Sequence, residues 1–432
     1  MTIHYRAAGL VALLLVLPRG GSAQTAGQPL RLADVYAEVE DRNPMVQAAS
    51  ASAEAARARQ SSAATLPDPQ LQLGVMNASL PGLRTDMPSS MAPSIQLMQM
   101  VPTAGKLPLA GRIARQETEM AQAAAAEVGW EVRSRAAMAF YEVYATDRQI
   151  AVMRETLELL RIFEQVARSM YAAGVGRQSD VLRAGVEVAR MDADIRRMEA
   201  MRAGAAARLN AVLNRPAGTP VGTAELPILP ASVPGLDTLV AWADGTRPML
   251  ARGRTAVEQA GTRRQLAGRE IWPDLQVGVQ YGQRPSEMGT ERMGSLMVGF
   301  TLPVFAGRRQ YAMRRETEAM ERMSAAELAD MRAQVGARIG ELVASLDRDR
   351  TLVRLYRTDI LPQAEANVQS ALAGYRSGNV DFMTLIDAQM TANQYRQELS
   401  RLVADYGTLL AELEMTVGRT LPTAGEAVSE AP

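Results

Sequence analysis

Few residues in this 432-residue chain can do covalent or metal chemistry. There is no Cys, and the single His is His4. No disulfide can form. If His4 lies in a removed leader, the mature chain has neither residue. Cys–His dyads, Ser-His-Asp triads and ordinary zinc sites are then excluded. Carboxylate-only catalysis would need a paired set of acids, and none stands out. The expectation is a protein that is not an enzyme, with no resident cofactor and no firm metal site. Methionine is the remaining chemical resource, with 25 copies. Soft thioethers suit Cu(I) and Ag(I), but Met is also an ordinary gap filler on helices. Basic and acidic residues balance at 47 each, so nothing in the charge argues for nucleic acid.

The elements that must position these residues announce themselves by repetition. Tyr375–Ala388 reads Y-R-S-G-N-V-D-F-M-T-L-I-D-A, and Tyr171–Ala184 reads Y-A-A-G-V-G-R-Q-S-D-V-L-R-A. The two stretches lie 204 positions apart. In each, a helical run reaches a Tyr and meets a Gly three residues later. Such a Gly is the usual left-handed helix stop, so each stretch is the turn of a helical hairpin. Pro44-Met45 returns as Pro248-Met249, and Glu54 as Glu258, at the same offset. Pro69–Val75 returns as Pro273–Val279. The mature chain is therefore expected to be a tandem duplication.

Residues 1–23 carry Arg6, the apolar run Ala7–Leu17 and small residues at Gly21-Ser22-Ala23. That is the pattern of a secretory signal peptide. Without Cys, no lipid can be attached at the new N-terminus. The first repeat is expected over 24–218, a Pro-rich linker over 219–234 and the second repeat over 235–419. A polar, disordered tail is expected over 420–432. Leu30–Ala64 reads as helix broken near Asn43-Pro44. Strands follow at 70–78 and 94–101, around a loop at Asn77–Met91. A helix of roughly 65 residues then runs to Ala173, about 100 Å at 1.5 Å per residue. The hairpin tip is 171–180, and Ser179–Leu213 returns as helix. The second repeat has strands at 274–283 and 295–302 around a loop at Gln283–Gly294. A second helix of similar length runs to Tyr375, with its tip at 375–384. The return helix sets Tyr395, Leu399, Leu402, Tyr406, Leu409 and Leu413 at four-three spacing, a heptad seam. The fold class is thus mostly α with a small β part.

All four strands alternate apolar and polar residues over about ten positions, the length that crosses a bilayer at a tilt. Four strands cannot close a membrane barrel, whose smallest examples use eight. Closure has to be between chains: two would give eight strands, and three would give twelve with room for a lumen. On that reading Met76, Met98, Met100 and Met297, which fall on the polar strand faces, line the lumen. The competing reading is a periplasmic coiled-coil scaffold or adaptor with no pore. Membrane fractionation separates them, since a scaffold washes off and a barrel does not.

The duplicated plan, the P-x-L-Q-x-G strands and the Y-x-x-G hairpins resemble the TolC-type outer-membrane efflux proteins. The resemblance covers nearly all of the mature chain. It implies a homotrimer in the outer membrane of a Gram-negative bacterium, with a twelve-stranded barrel in lipid and a twelve-helix periplasmic tunnel. It also implies a periplasmic adaptor and an inner-membrane pump as partners. Carried over by position, Gly174, Val175, Gly176, Gly378, Asn379 and Val380 are the tips that dock the adaptor. Asp180 and Asp387 occupy positions where the family's acids narrow the periplasmic entrance, and Tyr375 sits where a tyrosine often joins the closing network. The plainer reading of both acids is N-terminal helix charge that favours the dipole. Val380 departs from the best-known pattern, which has an arginine there. Thr384 stands where a further acid could be. M-V-P-T-A-G-K-L, within Gln99–Gly111, is similar to the copper and heavy-metal efflux branch. Export of metal, of drugs and of secreted proteins all stay open.

Overall fold

Asn43 explains how the chain begins. Its side chain accepts from the Met45 amide at 2.9 Å and donates to the Val212 carbonyl at 2.7 Å. Together with Pro44 at the first helical position, it separates α1 (Leu32–Arg42) from α2 (Pro44–Ala63) and ties both to a helix far along the chain. The computed structural model describes residues 29–76, 92–286, 289–422 and 427–428. The expected signal peptide, the loop at 77–91 and residues 423–426 and 429–432 of the tail lie outside the described residues.

β1 (Gln70–Met76) and β2 (Ala92–Val101) lead into α3 (Lys106–Ala172), which turns back as α4 (Gln178–Val212). A crossing segment contains β3 (Leu229–Pro230). The plan then repeats as α5 (Leu236–Thr246), α6 (Pro248–Arg269), β4 (Leu275–Ser286), β5 (Gly289–Phe300), α7 (Gln310–Leu355), α8 (Leu361–Arg376) and α9 (Phe382–Val417). β6 (Ala427–Val428) pairs with β3, so this part of the tail is ordered against the crossing segment, contrary to the expected disorder. Among the described residues, no helix is long and apolar enough to cross a membrane.

Two further differences from the expectation have clear causes. The expected loop at 283–294 is largely ladder: Gln283 pairs with Arg292, and Ser286 with Gly289. Its charged residues read as loop, but backbone pairing does not require apolar side chains. The second long helix is interrupted. Residues Tyr356–Ile360 widen into a π-helical turn, closed by Leu361 N–H to the Tyr356 carbonyl, just before Pro362. Proline has no N–H to give to the carbonyl four residues back and would crowd it, and the widened turn absorbs this.

Apart from the β3–β6 pair, the strands form one antiparallel sheet in the order β1-β2-β4-β5. Its rows sort by face. Leu71, Leu97, Val279 and Leu296 stand in register, and all four are exposed. The neighbouring rows are Gln72–Gln96–Gln280–Ser295 and Gln70–Met98–Gly278–Met297. One face is thus apolar and open, and the other is polar with small residues. Among the described residues, β1 and β5 each keep one unpaired edge.

The helices bury two cores. The larger one holds Phe140, Tyr141, Ile339, Tyr406 and Leu413, where α3, α7 and α9 meet. The second lies towards the hairpin turns and holds Leu160, Phe163, Ile195, Tyr375, Phe382 and Leu385.

Candidate functional site

Both hairpins end in the same backbone device. Gly174 has φ 75°, and Gly378 has φ 76°. At the first tip, Val175 N–H bonds to the Met170 carbonyl at 3.1 Å, and Gly174 N–H to that of Tyr171 at 3.0 Å. At the second, Asn379 N–H bonds to the Gly374 carbonyl at 2.9 Å, and Gly378 N–H to that of Tyr375 at 3.1 Å. This double closure is the Schellman motif, which needs a left-handed residue at its hinge. Gly176 is small for another reason: a Cβ there would crowd the Tyr171 amide at 2.9 Å. Gly374, which the sequence reading passed over, is small because Val380 lies against it. Val380, where an arginine was the familiar residue, is therefore packed rather than ionic.

The tips are tied to each other. The Tyr375 hydroxyl donates to Asp180 Oδ2 at 3.4 Å, across 195 residues of sequence. Tyr375 is 4% exposed, and its phenol is pushed up to about 12, first by burial and then by the Asp180 carboxylate. Asp381, also missed from sequence, caps α9 by accepting from Thr384 N–H at 3.0 Å and from the Thr384 hydroxyl. These bonds, with a weaker pull from Arg177, lower its pKa. Thr384 thus serves the cap. The signal was D-x-x-T immediately before an apolar helix.

Asp180 lies in the first turn of α4, so it interacts with the helix dipole as well as with Tyr375. Asp387 does neither: it sits beyond the first turn of α9 and is exposed. It lines an open groove with Gln149, Thr391, Gln394, Glu398 and Arg401. No described hydrogen bond joins it to Asp180 or Tyr375. The structure therefore brings two of the three expected gate residues together and leaves the third on a polar helix face.

In the sheet, Met98 and Met297 pair with Gly278 from opposite sides. A Cβ on Gly278 would meet Met98 Cγ at 3.3 Å and Met297 Cε at 3.6 Å, so both side chains lean over the glycine on the polar face. Met100 is two rows away on the same face, opposite Gln276. Met76 pairs with Ala92, and its side chain lies outside the described residues. Among the described residues, no group of three His, Cys, Asp or Glu could hold a metal.

A family model described as "Outer membrane efflux protein" matches residues 35–215 and 241–419, one match for each helix–strand–strand–helix unit. The chain belongs to this family. The outer membrane efflux protein family consists of transport proteins, not enzymes. No curated protein sequence matches the chain. Among solved structures, CusC is similar over 97% of this chain and 99% of its own, with 16% identity and a TM-score of 0.78. VceC of Vibrio cholerae, an outer membrane protein, matches 90% of this chain and 96% of its own, with 16% identity and a TM-score of 0.75. The MtrE outer membrane channel of Neisseria gonorrhoeae, in its open state, matches 90% and 89%, with 15% identity and a TM-score of 0.73. At these identities the likeness is one of fold.

Proposed function

We propose that three copies of this chain join their sheets into a twelve-stranded barrel, and that the assembly is the exit duct of a tripartite efflux system. The observation that carries this is the sheet itself. It has an exposed apolar face, a polar face with small residues and, among the described residues, two unpaired edges. Open edges and an exposed apolar band are liabilities in water but fit a closed barrel in lipid. A pore-less scaffold leaves that face without a purpose. The helices continue the wall into the periplasm, where an adaptor and an inner-membrane pump deliver the substrate. The duct is wide, and metal ions, drugs and secreted proteins are all compatible with it.

Gly174–Gly176 and Gly378–Val380 dock the adaptor on this reading. Gly378→Trp tests the tip. No atom lies within 4 Å of a Cβ there, so the local cost is backbone strain, about 1–2 kcal/mol. The variant is expected to remain in the membrane fraction and lose efflux. Full efflux would remove the tip from the proposal.

Asp180 and Asp387 become rings of three carboxylates around the axis. Such rings concentrate cations and repel anions. In a planar bilayer the assembly is expected to prefer cations and to be blocked by a trivalent cation added on the tip side. Asp387→Ala with Asp180→Ala should weaken both effects, more at low salt than at high, because exposed charges are screened over about 10 Å at 0.1 M. Unchanged selectivity and block at low salt would assign these acids to helix stability alone.

A further inference from the structure

The turn between β5 and α7 holds the two most exposed large apolar side chains of the described residues, Val304 and Phe305, next to the exposed Leu302. Leu302 is 71% exposed, Val304 78% and Phe305 77%. They are not on a loose loop. Val304 N–H bonds to the Leu302 carbonyl at 2.9 Å, Ala306 N–H to that of Pro303 at 3.1 Å and Arg309 N–H to that of Phe305 at 3.0 Å. The turn is locked by its own backbone and holds these side chains outward. Trp272, 58% exposed, lies beside them, and together they border a recess of about 230 Å³ that also touches Arg309. Leu296, Val298 and Phe300 of β5 lead into the turn, so the apolar surface is continuous with the exposed face of the sheet.

Charge changes within a few residues. Arg308 and Arg309 follow the turn directly, both exposed and without an ion pair among the described residues. Arg269 is exposed at the end of α6, three residues before Trp272. The acids of the recess are Glu270 and Asp274, and both are engaged by Lys106, at 3.5 and 2.9 Å. Both acids beside Arg309 in the recess are thus already engaged, and Glu318, which shares a second recess with Arg269, is paired with Arg314. An aromatic and aliphatic wedge followed by unpaired arginines is the chemistry of a membrane interface that carries phosphate.

We propose that this turn is a binding site for an anionic glycerophospholipid, in the leaflet that faces the helices. The acyl chains lie on Leu302, Val304 and Phe305, and the phosphate is held by Arg308 and Arg309. The site rests on the reading that the sheet forms a barrel in lipid. Continuity with the apolar sheet face and the uncompensated positive charge single out lipid as the occupant.

The test uses the full-length protein in nanodiscs of phosphatidylcholine with a minor share of phosphatidylglycerol, followed by mass spectrometry of lipids retained on the released assembly. Wild type should retain phosphatidylglycerol over phosphatidylcholine. One basic residue near an anionic surface is worth about fivefold in affinity, so Arg308→Ser with Arg309→Ser should cut the preference about 25-fold. Phe305→Ser should lower retention of both lipids. An unchanged preference in the double variant overturns the site. So does loss of the oligomer with lipid preference intact, which would make the turn a contact between copies of the chain. Failure of wild type to enter nanodiscs at all would instead sink the barrel reading, and this site with it.

Discussion

Gly407 of α9 rests on the ring of Tyr141 of α3, so closely that a Cβ at 407 would overlap the ring carbons. Tyr141 cannot easily move aside. It is buried and packs edge-on against Phe140, with ring centroids 5.3 Å apart. One hydrogen in place of a methyl thus lets two long helices approach at the centre of the larger core. Gly407→Ala should destabilise the chain by about 1–3 kcal/mol, the usual cost of overpacking. A thermal melt of the folded protein in detergent measures this. An unchanged midpoint would mean that the ring can swing away. Tyr375 plays the opposite part, since it reaches out of its core to bond Asp180 and joins packing to the polar tip in one side chain.

At the scale of elements, Lys106 is the chain's only lysine, the other basic residues being arginines. Buried at the start of α3, it donates to Asp274 Oδ1 and to the Trp272 carbonyl, both at 2.9 Å. Thr103 adds bonds to the Asp274 carboxylate and to the Pro273 carbonyl. The turn that ends β2 in one repeat is thereby fastened to the turn that opens β4 in the other. Lys106→Met keeps the stem but leaves Asp274 largely buried without its partner. Removing one member of a buried ion pair costs about 3–5 kcal/mol. A thermal or denaturant melt should report a loss of that size, and Lys106→Met combined with Asp274→Leu should recover part of it. A single variant as stable as wild type would make the cluster incidental. The π turn before Pro362 is a second device at this scale, since it lets α7 and α8 continue as one rod past a proline.

For the whole molecule, the proposed assembly turns on the outer edges of β1 and β5, which are unpaired among the described residues. Because the natural chain has no Cys, introduced cysteines report only on themselves. Leu71→Cys with Val298→Cys places one thiol on each edge strand. Oxidation in the membrane should give covalent products that end at three chains. Products that saturate at two, or a folded monomer in aqueous solution, would contradict closure by three.

The duplication, the hairpin turns and the two-faced strands were legible in the residues themselves. Each depends on local rules: a glycine for a left-handed hinge, period two for a strand, spacings of three and four for a helix face. Gly174, Gly378 and the Leu71–Leu73 alternation needed nothing distant to be read. Tertiary structure alone decided which remote groups meet. Tyr375 finds Asp180, Lys106 finds Asp274, and Leu30 bridges to Ala224, with separations no local pattern encodes. It also separated Asp387 from the other expected gate residues, extended β4 and β5 into residues that read as loop, and paired part of the tail with β3. In each case, backbone pairing or burial between distant segments outweighed what composition suggested, because those energies exist only once the chain has folded back on itself.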